Sequence, residues 1–160
     1  MEFTSKKFLT PQQAFEQLKQ YCAYQERSHK EVRTKLLEVG LRGNDLEDII
    51  AKLIEQGYLN EERFAVAFAG GKFRMKHWGK NKITQELKRK GVSDYNINKA
   101  IKEIPEEDNR EALQQLLEKK AAALKDKNIF TRKKKLANFL IGKGYESQLV
   151  WKEVGEHFKK

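Results

Sequence analysis

One spacing recurs three times along this 160-residue chain: apolar, three residues, Leu, three residues, Gly, apolar. It runs Val32, Leu36, Gly40, Leu41, then Ile83, Leu87, Gly91, Val92, then Leu136, Leu140, Gly144, Tyr145. Ile83 follows Val32 by 51 residues, and Leu136 follows Ile83 by 53. Residues four apart share one face of a helix, so each copy offers a two-residue apolar stripe. The Gly is placed to take the left-handed position just past the helix end, where a side chain costs energy. The apolar residue after it can then pack back over that end. A repeat of this period marks an array of supersecondary units.

The rest of the chain is helical in pattern. Apolar residues recur at three and four, as in Leu46, Ile49, Ile50, Leu53 and in Leu113, Leu116, Leu117, Leu124, and no segment alternates as a strand does. Thr10-Pro11-Gln12-Gln13 and Ser28-His29-Lys30-Glu31 read as capping boxes. Asn60 ahead of Glu61 and Glu62 suits a helix start, and Ser93-Asp94 and Thr131 are weaker caps. The pattern predicts helices over 11–25, 29–39, 45–56, 61–75, 81–90, 94–103, 107–126, 132–142 and 146–158. The expected fold is all-α, with three tandem three-helix repeats stacked into an elongated, curved array. The units would be an N-terminal tail over 1–10 and repeats over 11–58, 59–104 and 105–160.

Charge divides the chain. Residues 1–71 carry 10 Lys+Arg and 11 Asp+Glu; residues 72–160 carry 23 and 12, so the whole net charge of +10 belongs to the later part. Two segments hold most of it. Residues 72–90 have eight basic residues against Glu86, with Phe73 and Trp78 among them, and residues 119–135 have eight against Asp126. Such clusters read as a footprint for a polyanion or an acidic protein surface, or as solvated helix faces. The candidate contacts are Lys72, Arg74, Lys76, Lys80, Lys82, Lys88, Arg89 and Lys90 in the first segment, and Arg132, Lys133 and Lys134 in the second. On a helix over 81–90, Lys82 and Arg89 share a face, Lys80 and Lys88 flank another edge, and Ile83 and Leu87 point to the core. Trp78 is either a base-stacking residue or an anchor in the core.

Several function classes find no support. No apolar run approaches the roughly 20 residues needed to span a bilayer. The first residues, MEFTSKKFLTPQQ, have no apolar core or small-residue cleavage site, so no secretory leader is expected. The lone Cys22 cannot form an internal disulfide, which fits the cytoplasm, and it reads as a buried structural thiol. Gly70-Gly71-Lys72 lacks the upstream glycine and the downstream Ser/Thr of a phosphate loop. His29, His77 and His157 have no partner at ligand spacing, so no metal, cofactor or catalytic residue is expected. A helix-turn-helix reader of duplex sequence is disfavoured as well. Its recognition helix follows the turn, yet here NDLEDIIAKLIEQ is net acidic and SDYNINKAIKEI is balanced.

The stretch from Gly57 to Val92, GYLNEERFAVAFAGGKFRMKHWGKNKITQELKRKGV, closely resembles the central signature of the RecX regulatory proteins, bacterial modulators of the RecA recombinase. The resemblance rests on Gly57, Tyr58 and Leu59, on Asn60 through Ala65, and on Gly79, Ile83, Leu87, Lys90 and Gly91. Arg27, Ser28, Leu36, Gly40 and Leu41 resemble the family's first repeat, while over 106–160 only Leu136, Leu140 and Gly144 carry the likeness. Asn-Glu-Glu-Arg-Phe departs from the commoner Asp-Glu-Arg-Phe form at a helix cap. The resemblance implies a protein of DNA recombination, repair and the SOS response; a monomer is expected. It also implies binding to RecA filaments on single-stranded DNA, with the DNA contacted directly or through RecA, inhibition of strand exchange and ATP hydrolysis, and no catalysis of its own. Arg63, Phe64, Gly40, Gly91 and Gly144 would be structural members of the signature, with Arg63 in a buried salt bridge and Phe64 a core ring. A basic helical nucleic-acid-binding protein independent of RecA is the alternative.

Overall fold

The computed structural model describes residues 8–159. Among them are nine helices and no strand: α1 Pro11–Tyr24, α2 His29–Glu38, α3 Gly43–Glu55, α4 Glu61–Lys76, α5 Lys80–Arg89, α6 Asp94–Lys102, α7 Glu106–Ala123, α8 Ile129–Gly142 and α9 Ser147–His157. The all-α repeat fold read from the spacing is the one observed. The two boundaries that differ most, each by three residues, do so for local reasons. Asn128, not Thr131, caps α8: its Oδ1 accepts from the N–H groups of Phe130 and Thr131 at 2.8 and 3.1 Å, so the helix begins three residues earlier. Leu124, placed inside a helix by its spacing, is the extended residue that ends α7. Most of the expected tail, residues 1–7, lies outside the described residues. Past it, the Leu9 N–H donates to the Val39 carbonyl at 3.0 Å, and Phe8 lies beside Gly40.

The repeated glycines behave as their spacing demands. Gly40, Gly91 and Gly144 have φ of 92°, 80° and 104°. After each, the next N–H returns to the Leu of the motif: Leu41 to the Leu36 carbonyl at 3.0 Å, Val92 to Leu87 at 3.1 Å and Tyr145 to Leu140 at 3.2 Å. That is the hydrogen-bond signature of a Schellman-type helix end. Leu41, Val92 and Tyr145 are all buried.

Each three-helix group encloses a core of its own. Leu18, Val32, Leu36, Ile49 and Leu53 join α1–α3; Phe64, Ala69, Ile83, Leu87 and Ile97 join α4–α6; Leu113, Leu117, Leu136, Leu140 and Val154 join α7–α9. Helix packing of any extent stays within a group. The groups therefore do not need one another to bury their apolar faces. Inside the first group, Ser28 is almost fully buried, its Oγ accepts from the Glu31 N–H at 3.0 Å, and the Glu31 carboxylate accepts from the Ser28 N–H at 2.8 Å. Ser28→Ala should cost about 1 kcal/mol, read as a lower urea midpoint; an unchanged midpoint would show that this box contributes nothing. In the second group, Glu61 tethers the start of α6, accepting from Asn96 Nδ2 at 2.6 Å and Ser93 Oγ at 2.9 Å. Burial alone would raise its carboxyl, but these bonds hold it below the usual carboxylate range.

The two joints between groups differ in kind. Between the first and second, side chains do the bridging. Arg63 donates to the Glu26 carboxylate at 2.6 Å and to the Gly57 carbonyl at 2.9 Å, and Lys30 donates to the Arg89 carbonyl at 3.1 Å. The Arg63 side chain is 45% exposed, so the buried ion pair expected from the signature is instead a half-open one, and such pairs contribute little. Phe64 is the core ring it was expected to be.

Between the second and third groups the backbones themselves meet. The Gly79 N–H donates to the Lys143 carbonyl at 2.8 Å and the Asn81 N–H to the Gly144 carbonyl at 2.9 Å. The carbonyls just past the end of α8 thus satisfy N–H groups at the start of α5. Tyr145 closes the joint, its hydroxyl donating to the His77 carbonyl at 2.9 Å. Burial pushes its phenol up to about 12, so the proton it donates stays in place. A Cβ on Gly79 would sit 2.5 Å from the Gly144 oxygen, and one on Gly144 would sit 2.7 Å from the Lys82 nitrogen.

Candidate nucleic-acid interface

The end of α4 builds the site. His77 has φ 57° and is the one non-glycine residue of positive φ among the described residues. That left-handed turn sends Trp78 back over α4, where its N–H reaches the Lys72 carbonyl at 3.4 Å. The Trp78 ring meets Phe68 edge-on, with centroids 6.4 Å apart. Lys72 follows Phe68 by four residues on α4, and Lys82 follows Trp78 by four across the turn into α5. Their ammonium groups stand over these rings: Lys72 at 5.1 Å from Trp78 and 5.5 Å from Phe68, and Lys82 at 4.6 Å from Trp78. Lys90, the residue that ends α5, brings a third at 5.6 Å from Phe68.

Three cations thus converge on two aromatic faces. None of the three has a carboxylate within 4.0 Å among the described residues; the nearby Glu86 pairs with Arg89 at 2.9 Å. Each cation–π contact is worth about 0.5–1 kcal/mol at such half-open positions. The rings carry no net charge, so the three ammonium charges remain uncompensated and the site keeps a positive potential that an incoming anion would relieve.

The other candidates lie elsewhere. Lys80 is paired with Glu106 at 3.0 Å, helping to tie α5 to the start of α7. Arg89 is held by Glu86, so it does not act with Lys82 as one bare face. The Arg74 guanidinium lies back along its own helix against Gly70. Lys76 and Lys88 are exposed, and Met75 between Arg74 and Lys76 is 82% exposed. Arg132 and Lys133 sit over the Phe158 ring at 5.3 and 5.7 Å in the third group, and Lys134 points to solvent. Trp78 is half-buried against the second core, as the anchor reading has it, and its ring also lies beneath Lys72 and Lys82. Burial pushes the Cys22 thiol up to about 11, as befits a structural group.

Residues 60–101 match the family model described as RecX, second three-helix domain, and residues 106–153 match RecX, third three-helix domain. The regulatory protein RecX of Pelodictyon phaeoclathratiforme is 34% identical over 130 residues, spanning 80% of this chain and 77% of that protein. The chain belongs to the RecX family. The RecX protein of Bacillus cytotoxicus is 29% identical over 139 residues, but the match spans only 52% of it, so this chain covers about half the length of that relative. Two solved structures share the fold. A crystal structure of regulatory protein RecX and one of RecX from Lactobacillus salivarius both align with a TM-score of 0.83 at 23% identity over 91% of this chain, covering 71% and 95% of theirs.

Set in the RecX fold, the platform contains one residue that sequence reasoning did not place there. Phe68 reads from its spacing as core alone. The available signal was Lys72 four residues on, which puts a cation over its ring.

Proposed function

We propose that this chain binds RecA filaments assembled on single-stranded DNA and inhibits their strand exchange and ATP hydrolysis, with no catalysis of its own. The observation that carries the proposal is the platform of Lys72, Lys82 and Lys90 over Phe68 and Trp78, uncompensated by any described carboxylate. Membership of a family of regulatory proteins supports it, as does the earlier likeness of Gly57 to Val92 to that family's signature. In this reading the three groups lie along the filament groove and bridge neighbouring protomers. Bridging restricts the motions that couple nucleotide turnover to DNA pairing. The platform meets DNA phosphate or acidic recombinase surface.

A second reading keeps the platform and drops the recombinase: a basic helical protein that binds nucleic acid on its own. The same aromatic floor favours it, because stacking and cations suffice for single strands without sequence preference. RecA-dependent ATP hydrolysis on single-stranded DNA separates the two. Substoichiometric amounts of this protein should depress hydrolysis under the first reading; DNA binding without any such effect would leave only the second.

A further inference from the structure

The start of α8 holds an arrangement that the platform does not use. Ile129 and Phe130 open the helix, yet the third core takes up neither, and Phe130 is 77% exposed. Around them, residues 125–135 carry Lys125, Lys127, Arg132, Lys133, Lys134 and Lys135. The single acid, Asp126, is consumed by Lys135 at 3.0 Å. Lys134 lies one turn beyond Phe130 on the same outward stripe, and Lys133 borders it. The outcome is an exposed ring in a field of cations with no described carboxylate left to balance them.

That composition selects among partners. Protein–protein interfaces are depleted in Lys and seat their aromatic anchors in desolvated pockets. A solvent-facing ring flanked by lysines is instead what single strands meet, because every unpaired base has a face to stack and every nucleotide a phosphate to pair. A duplex offers the phosphates but not the face. We infer that the first turns of α8 bind single-stranded nucleic acid, with Phe130 stacking on an unpaired base and Lys127, Lys133 and Lys134 meeting the flanking phosphates.

The position relative to the platform fits one strand touching both. The far end of α8 abuts Lys82 through Gly144, and α8 has 14 residues. At about 1.5 Å per residue the two sites stand roughly 20 Å apart along that helix. The inference deepens the filament reading by giving the strand its own contact on this chain. Its test omits the recombinase, so the two can fail separately.

The test is fluorescence anisotropy with a labelled oligothymidine and, separately, a labelled duplex. Phe130→Ala should weaken oligothymidine binding by about 5- to 100-fold and duplex binding far less, while Phe130→Trp should restore it. Lys127→Glu with Lys134→Glu should lower the magnitude of the salt slope on the single strand by about 1.4. Circular dichroism should show unchanged helicity, since the ring is exposed. The inference is overturned if the wild-type chain does not bind oligothymidine, if Phe130→Ala binds it as wild type does, or if single strand and duplex are weakened alike. It is equally overturned if Phe130→Ala leaves oligothymidine binding intact and weakens only association with the protein filament, which would make the ring a protein contact.

Discussion

Gly79→Ala should lower the thermal unfolding midpoint by about 6–12 °C, corresponding to a loss of roughly 3 kcal/mol in a chain of this size. The cost comes from backbone, not from a side chain that can swing aside. The new methyl would lie 2.5 Å from both the Gly144 oxygen and the Tyr145 nitrogen. Relieving that clash means parting α5 from the end of α8. The Gly79–Lys143 and Asn81–Gly144 hydrogen bonds would be stretched or broken with it, each worth about 0.5–1.5 kcal/mol. Gly71→Ala is the matched control. Gly71 is helical, has open space around its Cβ position and no positive φ, so alanine there should be neutral or stabilise by up to about 1 kcal/mol. Differential scanning calorimetry of the two variants reads the comparison; equal midpoints would mean that the joint between the second and third groups is not the close backbone contact described.

The second large effect is electrostatic. Under the proposed function, reversing Lys72, Lys82 and Lys90 together to Glu should abolish inhibition of RecA. Losing a single charge-assisted contact costs about 1.5–3 kcal/mol, or roughly ten- to a hundredfold in affinity, and three are reversed here. If all three meet phosphate, the salt slope on single-stranded DNA should also shrink by about 2. Lys88→Glu with Arg89→Glu makes about two thirds of that change in net charge and should do much less than two thirds of the damage. Arg89 is already engaged by Glu86, and neither residue stands over the rings. Titrating both variants in an inhibition assay distinguishes a local site from bulk charge. Equal loss in the two would favour bulk charge and remove the special role of the platform.

The sequence made the fold legible where local physics decides it. Gly40, Gly91 and Gly144 announced left-handed helix ends because only glycine suits that conformation cheaply, and Ser28 and Asn60 announced helix starts through hydrogen bonds three residues away. The start of α8 does not show in the apolar period because Ile129 and Phe130 face solvent and add nothing to it. The joint between α5 and α8 was illegible for another reason. Gly79 and Gly144 are far apart in the chain, and nothing in either neighbourhood says that two backbones will touch. The candidate site was legible as a charge cluster but not as geometry. Lys80 and Arg89 look like their neighbours in sequence, and only the positions of Glu106 and Glu86 take them out of the platform.

The role proposed for the platform depends on whether this chain acts on a recombinase filament. The direct measurement is the rate of ATP hydrolysis by RecA on single-stranded DNA as this protein is added at ratios well below one per recombinase protomer. The expected result is a fall in rate out of proportion to the ratio, lost in the Lys72, Lys82 and Lys90 reversal. A rate that stays constant while the protein demonstrably occupies the DNA would contradict it.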